Sequence, residues 1–253
     1  SAATETPVQI GNFPFTTIQP NVGIAYVNTT CACKYFKIQH KNALCVSGIR
    51  FIPIKLIDVA GLVPGAHEGK GLGNQFLDDA RQAEVLIHVV DISGSTDIQG
   101  QPVNIGTHDP REDIKFVEDE FDFWFKQILE REWPKLSKEI EKKSTKLVDG
   151  ITDRFSGLGV KEYQVHEVLQ NLDLLTKKPT EWNDSILTKF AQMLRKKTKP
   201  MLIAANKADL CKDLDITNEL HKDRDIVNCS AETELLLKKA TKANLIDYIP
   251  GNE

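Results

Sequence analysis

Asn206-Lys207-Ala208-Asp209 follows the apolar run Pro200-Met201-Leu202-Ile203-Ala204-Ala205, and these side chains suit the reading of a purine base. The Asp carboxylate can accept from two adjacent donors, which guanine offers through N1–H and its exocyclic amine. The Lys stem can lie along the base, and the Asn can tie this loop to a phosphate-binding loop. Adenine lacks that donor pair and would leave the carboxylate buried and unpaired, at a cost on the order of 1–3 kcal/mol or more. N-K-x-D after a strand also arises by chance, so its meaning depends on what accompanies it.

Lys55-Leu56-Ile57-Asp58-Val59-Ala60-Gly61 is an apolar strand ending in D-x-x-G, the arrangement that senses a γ-phosphate. Asp58 would hold Mg²⁺ through water and the Gly61 amide would donate to the γ-phosphate, so the loop orders only with triphosphate. Val85–Asp91 reads as a third strand. Asn228-Cys229-Ser230-Ala231 falls where a guanine-supporting loop is expected, with Ser230 and Ala231 as its members. Four elements in this order predict an α/β, P-loop GTPase-type fold: a mostly parallel sheet with helices on both faces, plus an inserted α-helical, coiled-coil-like domain. No G-x-x-x-x-G-K-[ST] occurs; Gly69-Lys70 has Pro64 and Gly71 at the positions that matter. The opening Ser1-Ala2-Ala3-Thr4 reads as the middle of a helix, so a phosphate-binding loop and its strand are expected just before it. Without them nucleotide would be held poorly.

The 253 residues suit one domain with a large insertion, or two domains. A net charge of -4 argues against wholesale electrostatic binding of nucleic acid. No apolar stretch is long enough to span a bilayer and no signal peptide is visible, so a cytoplasmic protein without membrane contact is expected. Five cysteines, an odd number, favour reduced thiols over a disulfide framework.

Along the chain, Gly23–Val27 and Phe51–Ile57 read as neighbouring strands and Phe76–Arg81 as a short helix. From Asp109 the period changes. Ile114, Val117, Phe121, Phe125, Ile128 and Leu129 recur at helical spacing, with Asp109 or Thr107 as cap. Pro134 should kink or divide that helix. Further helices are expected around 160–175 and 185–197. The division is therefore 1–108 for the first part of a nucleotide-binding domain, 109–198 for a helical insertion and 199–253 for the second part. Phe121, Trp124, Phe125 and Trp133 read as packing between helices.

Asn12-Phe13-Pro14-Phe15-Thr16-Thr17-Ile18-Gln19-Pro20-Asn21 resembles switch I of the Obg-related GTPases. Asp58-Val59-Ala60-Gly61-Leu62-Val63-Pro64-Gly65-Ala66-His67, followed by Gly69-Lys70-Gly71-Leu72-Gly73-Asn74, is similar to the YchF subfamily, the Obg-like ATPases. The tail Leu245-Ile246-Asp247-Tyr248-Ile249-Pro250-Gly251 resembles the family's approach to a C-terminal TGS domain. The resemblance implies a cytosolic, translation-associated hydrolase that binds ribosomes of the 50S or 70S type, as a monomer. Much of that family lacks the terminal Asp of the base-reading motif and prefers ATP. Asp209 is kept, as in the archaeal branch, so GTP and GDP are the expected ligands.

A Gln after the D-x-x-G glycine orients water in Ras-like enzymes. Leu62 and Val63 stand there instead, and neither polarises water. His67 is the nearest alternative, and the resemblance supports a catalytic His at this position; an exposed loop histidine is the plain reading. Thr17, with Thr16 as alternative, would contact Mg²⁺ and the γ-phosphate. Cys31-x-Cys33 with His40 and Cys45 can be written as a zinc cluster, but the irregular spacing favours free thiols. Cys211 and Cys229 read as core residues. The basic runs Arg195–Lys199, Lys142-Lys143 and Lys238-Lys239 read as solvated helix surface, with a salt-dependent contact to rRNA phosphates as their functional alternative. Three function classes follow: hydrolysis of GTP to GDP and phosphate as a ribosome-associated switch, an ATPase of the same family, and a non-catalytic interaction module.

Overall fold

A computed structural model describes residues 2–4, 21–39, 42–59, 62, 79–143, 146–211 and 215–249. Its described strands form two three-stranded sheets. In the first, β1 (Asn21–Thr30) runs antiparallel to β3 (Ile49–Asp58), from Asn21 opposite Asp58 to Thr30 opposite Ile49. The short β2 (Cys45–Val46) pairs with the start of β3, and α1 (Ala32–Phe36) lies between β1 and β2. The second sheet is parallel, in the order β4 (Leu86–Asp91), β5 (Met201–Asn206), β6 (Asp225–Asn228). Parallel pairing thus characterises one sheet and antiparallel pairing the other.

Between β4 and β5 the chain forms α2 (Pro110–Lys143), α3 (Leu147–Phe155), α4 (Glu162–Asn171) and α5 (Asp184–Thr198). Two helices complete the order, α6 (Asp215–Leu220) before β6 and α7 (Ala231–Lys242) after it. Pro110 starts α2 without losing a needed amide, and the Asp109 carboxylate accepts from the Arg111 amide at 3.0 Å. Asp109 rather than Thr107 is therefore the cap.

Of the two expectations at Pro134, a kink or a division, the 34-residue α2 excludes the division, since it runs through the proline as one helix. An internal proline costs a helix about 3 kcal/mol. Burial on both sides of it offsets that cost, since Trp133, Leu136 and Ile140 all enter the helical core. Trp133 also stacks on Trp182 with centroids 4.5 Å apart. Phe121, Trp124, Phe125 and Trp133 pack between helices, as expected. Gly150 lets α3 approach α2, because a Cβ there would lie 3.0 Å from Leu136 Cδ1.

The two cores meet along α2. Its first turns place Ile114 in the sheet core with Val90, Ile92, Ile203, Ala205, Leu220 and Ile226. Later turns build the helical core with Phe155, Leu169, Phe190 and Leu194. Val59 and Leu62, from the end of the D-x-x-G strand onward, pack against that helical core too.

The run Arg195–Lys199 is solvated only at Lys196 and Lys197. Arg195 is buried and donates to Asp122 across α2 at 2.7 Å. Lys199 is buried as well, and its ammonium donates to the carbonyls of Arg81 and Ala83 at 2.9 and 2.5 Å. Helix packing consumes these two cations, which removes them from any rRNA-facing patch.

Candidate functional site

Asn206 ends β5 opposite Asp91, the last residue of β4. This register brings two post-strand loops together at the carboxyl ends of parallel strands, where open α/β sheets place their ligand sites. Lys207 turns the chain with a left-handed φ of 61°, which lets the backbone leave the strand at once. The Asn206 side chain accepts from the Ala231 amide at 2.9 Å. Backbone bonds complete the seam, from the Cys229 amide to the Ala205 carbonyl at 2.9 Å and from the Ala208 amide to the Cys229 carbonyl at 3.1 Å. The N-K-A-D loop and the loop after β6 are therefore one structural unit. The Asn206 bond to Ala231 uses its side-chain oxygen; the expected tie to a phosphate-binding loop involves residues outside this sequence.

Asp209 leaves its carboxylate exposed to solvent beside this seam. Ser230 caps α7, accepting from the Thr233 amide at 3.2 Å. Asn206, Lys207, Asp209, Ser230 and Ala231 thus lie on two adjoining loops. Asp58 closes β3 with an exposed carboxylate, a hard oxygen donor of the kind Mg²⁺ takes. Thr16, Thr17, Gly61, His67 and His40 lie outside the described residues.

An acidic partner for Lys207 is the part that sequence reasoning missed. The Lys207 ammonium donates to Asp91 Oδ2 at 2.8 Å and to Ser95 Oγ at 3.0 Å. Asp91 also accepts from the Ser93 amide and hydroxyl, the Ser95 hydroxyl and the Thr96 hydroxyl. Burial pushes this carboxyl up, but Lys207 and the three hydroxyls outweigh it and bring it down to about 2. Gly94 makes the arrangement possible. Its φ is +59° and a Cβ would sit 2.3 Å from the His108 carbonyl oxygen, so no side chain fits. The visible signal was Asp91-Ile92-Ser93-Gly94-Ser95-Thr96, an Asp at a strand end followed by hydroxyls and a glycine.

Cys211 and Cys229 are half-buried, Cys211 packing against the sheet core, and burial pushes both thiols up. A concavity lined by Val85, Pro200, Met201, Leu202 and Asp225 lies at the opposite, amino-terminal end of the parallel strands.

A family profile described as 50S ribosome-binding GTPase matches residues 1–119. A second, described as Obg-like GTPase YGR210-like, G4 motif-containing domain, matches residues 204–253. An uncharacterized GTP-binding protein of Methanocaldococcus jannaschii is 46% identical over 251 residues, covering 97% of this chain and 62% of that protein. One from Schizosaccharomyces pombe is 38% identical over 261 residues, covering 100% of this chain and 63% of the relative. This chain belongs to the YchF/Obg-like family of GTP-binding proteins. The crystal structure of a GTP binding protein from Pyrococcus horikoshii OT3 is similar to this YchF-type chain at a TM-score of 0.77 and 39% identity, covering 91% of this chain and 63% of that one. The chain spans less than two thirds of the length of these relatives. No helix among the described residues of this family member is long and apolar enough to cross a membrane.

Proposed function

We propose that this chain is the greater part of a GTP-hydrolysing switch that works with the ribosome, with residues 1–108 and 199–253 handling nucleotide and 109–198 inserted as a helical domain. The observation that carries the reading is the Asn206–Ala231 bond of 2.9 Å. It joins the base-reading motif to the loop that would back the base, leaving Asp209 free to meet guanine's two donors. The ribosome enters through the profile description over residues 1–119, and a cytosolic setting follows from that partner.

In this reading Lys207, tethered by Asp91 and Ser95, supplies a pre-set apolar wall for the base. Pre-setting spares the ordering of a long side chain on binding. Asp58 and Thr17 would hold Mg²⁺, which when bound neutralises charge on the phosphates. Leu62, packed against the helical core, takes no part in orienting water. That task falls to His67.

Asp209→Asn in the full-length protein should weaken GTP binding at least tenfold, because one acceptor for two guanine donors is lost, an effect of about 1.4 kcal/mol or more. Fluorescence titration with labelled GTP, and with ATP as competitor, measures it. Unchanged GTP affinity, or displacement by ATP at equal concentration, sinks the guanine reading. His67→Ala should lower kcat at least tenfold and leave KM unchanged, since a water-orienting group contributes about 10²–10⁴ in rate. Single-turnover assays with and without ribosomes test this; parental rates under both conditions make His67 a bystander.

A further inference from the structure

At the far end of the β1–β3 pair, the nucleotide reading leaves three cysteines unused. Cys31 is the N-cap of α1, Cys33 lies within that helix and Cys45 opens β2. Their three sulfurs all lie within 4.8 Å of one another. Cys33 Sγ and Cys45 Sγ are 3.8 Å apart. Two thiolates each about 2.3 Å from one tetrahedral zinc ion also stand about 3.8 Å apart. None of the three is in a disulfide.

The backbone builds this cluster without help from the sulfurs. The Cys31 amide donates to the Gly48 carbonyl at 2.8 Å, which draws the start of α1 onto the turn between β2 and β3. The Cys45 amide donates to Asn42 at 2.9 Å and the Phe51 amide to Leu44 at 2.7 Å, which fixes the third cysteine from the other side. Cys31 is buried, whereas Cys33 and Cys45 are half-buried, so the cluster has a sheltered floor and an accessible mouth.

A second observation points the same way. Helix α1 has five residues and buries none of them. Tyr35 and Phe36 are 82% and 66% exposed. A helix this short is far below the roughly 12–15 residues at which isolated helices become even marginal in water, and apolar packing does not hold it. A coordinate cross-link through its cap and first turn would.

We propose that Cys31, Cys33 and Cys45 form a thiolate site for a soft divalent cation, zinc being the reference ion, which pins α1 to the β2–β3 turn. Thiolate sulfur selects such ions over Mg²⁺, which takes oxygen. The hydrogen bond with Cys31, then burial and Cys45, push the Cys33 thiol up to about 11. Metal binding reverses this by forming three sulfur–metal bonds and releasing the thiol protons to solvent, with no change of oxidation state. Three thiolates leave one tetrahedral position for a further donor. The ten residues of β3 separate this site from Asp58, roughly 30 Å of extended strand, so the ion is structural and distinct from the nucleotide's Mg²⁺.

The full-length protein, purified under reducing conditions and stripped with a chelator, should bind one Zn²⁺ per site. Loading should protect three of the chain's five thiols from an aromatic disulfide reagent. Co²⁺ in place of Zn²⁺ should give a sulfur-to-cobalt charge-transfer band. Cys33→Ser and Cys45→Ser, at half-buried positions where folding should survive, should each weaken Zn²⁺ at least about 100-fold. Cys211→Ser should leave binding unchanged, and circular dichroism checks that each variant folds. Equal reactivity of all thiols with Zn²⁺ present, absence of the cobalt band, or unaltered Zn²⁺ affinity in a folded Cys33→Ser would overturn the proposal. So would recovery of a Cys33–Cys45 disulfide from protein handled without air.

Discussion

The helices between β4 and β5 and the strands that flank them treat their apolar residues differently. Phe121, Phe125, Phe155 and Phe190 of the helical region are at most 1% exposed. Ile24 of β1 and Val89 of β4 are 55% and 62% exposed, although they are β-branched residues in regular strands. The helices satisfy one another, while the strand faces have no comparable cover among the described residues. Stability is therefore concentrated in the helical region, and the candidate nucleotide loops sit on the weaker side. Loops that order around a ligand are drawn from that lower end of local stability. The packing of Val59 and Leu62 against the helical core is where the two regimes touch.

The largest test of this contrast is Phe125→Ala. It removes a fully buried ring that stacks on Phe155 with centroids 5.7 Å apart, and should cost about 3–5 kcal/mol. Urea unfolding followed by circular dichroism reads it; a loss below about 1 kcal/mol would mean that the helical core is loosely packed.

Next comes pH. Burial lowers His88 of β4 from the usual 6.5 to about 4, with Glu118 opposing, and its Nδ1 is buried without a hydrogen-bond partner among the described residues. The neutral ring is thus the folded form, and the unfolded chain takes up the proton first. Stability should be fully present above pH 6.5 and fall by roughly 3 kcal/mol as pH approaches 4, at about 1.4 kcal/mol per unit. His88→Leu should flatten that slope. A slope that survives the substitution assigns the acid sensitivity elsewhere.

The smallest effect should be Val89→Ala, neighbouring His88 in the same strand. Its side chain is already mostly solvated, so the change should stay within about 0.5 kcal/mol. A loss as large as that of Phe125→Ala would show that the strand face is covered in solution and would break the contrast.

Much of this was legible in the residues themselves. The N-K-A-D strand, the D-x-x-G strand and the helical period of Ile114 to Leu129 each follow from spacing, because a strand or helix repeats its buried side chains at a fixed interval. The fate of individual polar groups was not legible. Arg195 and Lys199 look like surface cations in a basic run, yet one pairs with Asp122 and the other with the carbonyls of Arg81 and Ala83. Those partners are far apart in sequence, and no local period announces them. Pro134 does not divide α2 for the related reason that a local helix-breaking cost was outweighed by distant burial around Trp133 and Trp182.

The sequence by itself determined the chemistry on offer: a carboxylate at or just after the end of each of two strands, and the helices and strands that carry them. Those are short-range matters, set by residue type and by the geometry of one turn or one pleat. Only the tertiary structure decided which groups meet. The register of β4 against β5 put Asp91 beside Lys207, the bond to Ala231 joined two loops into one site, and a turn between β2 and β3 brought Cys45 to Cys31 and Cys33. Each meeting depends on a strand register or a chain reversal, and registers are selected by the packing of whole elements rather than by the residues that end up in contact.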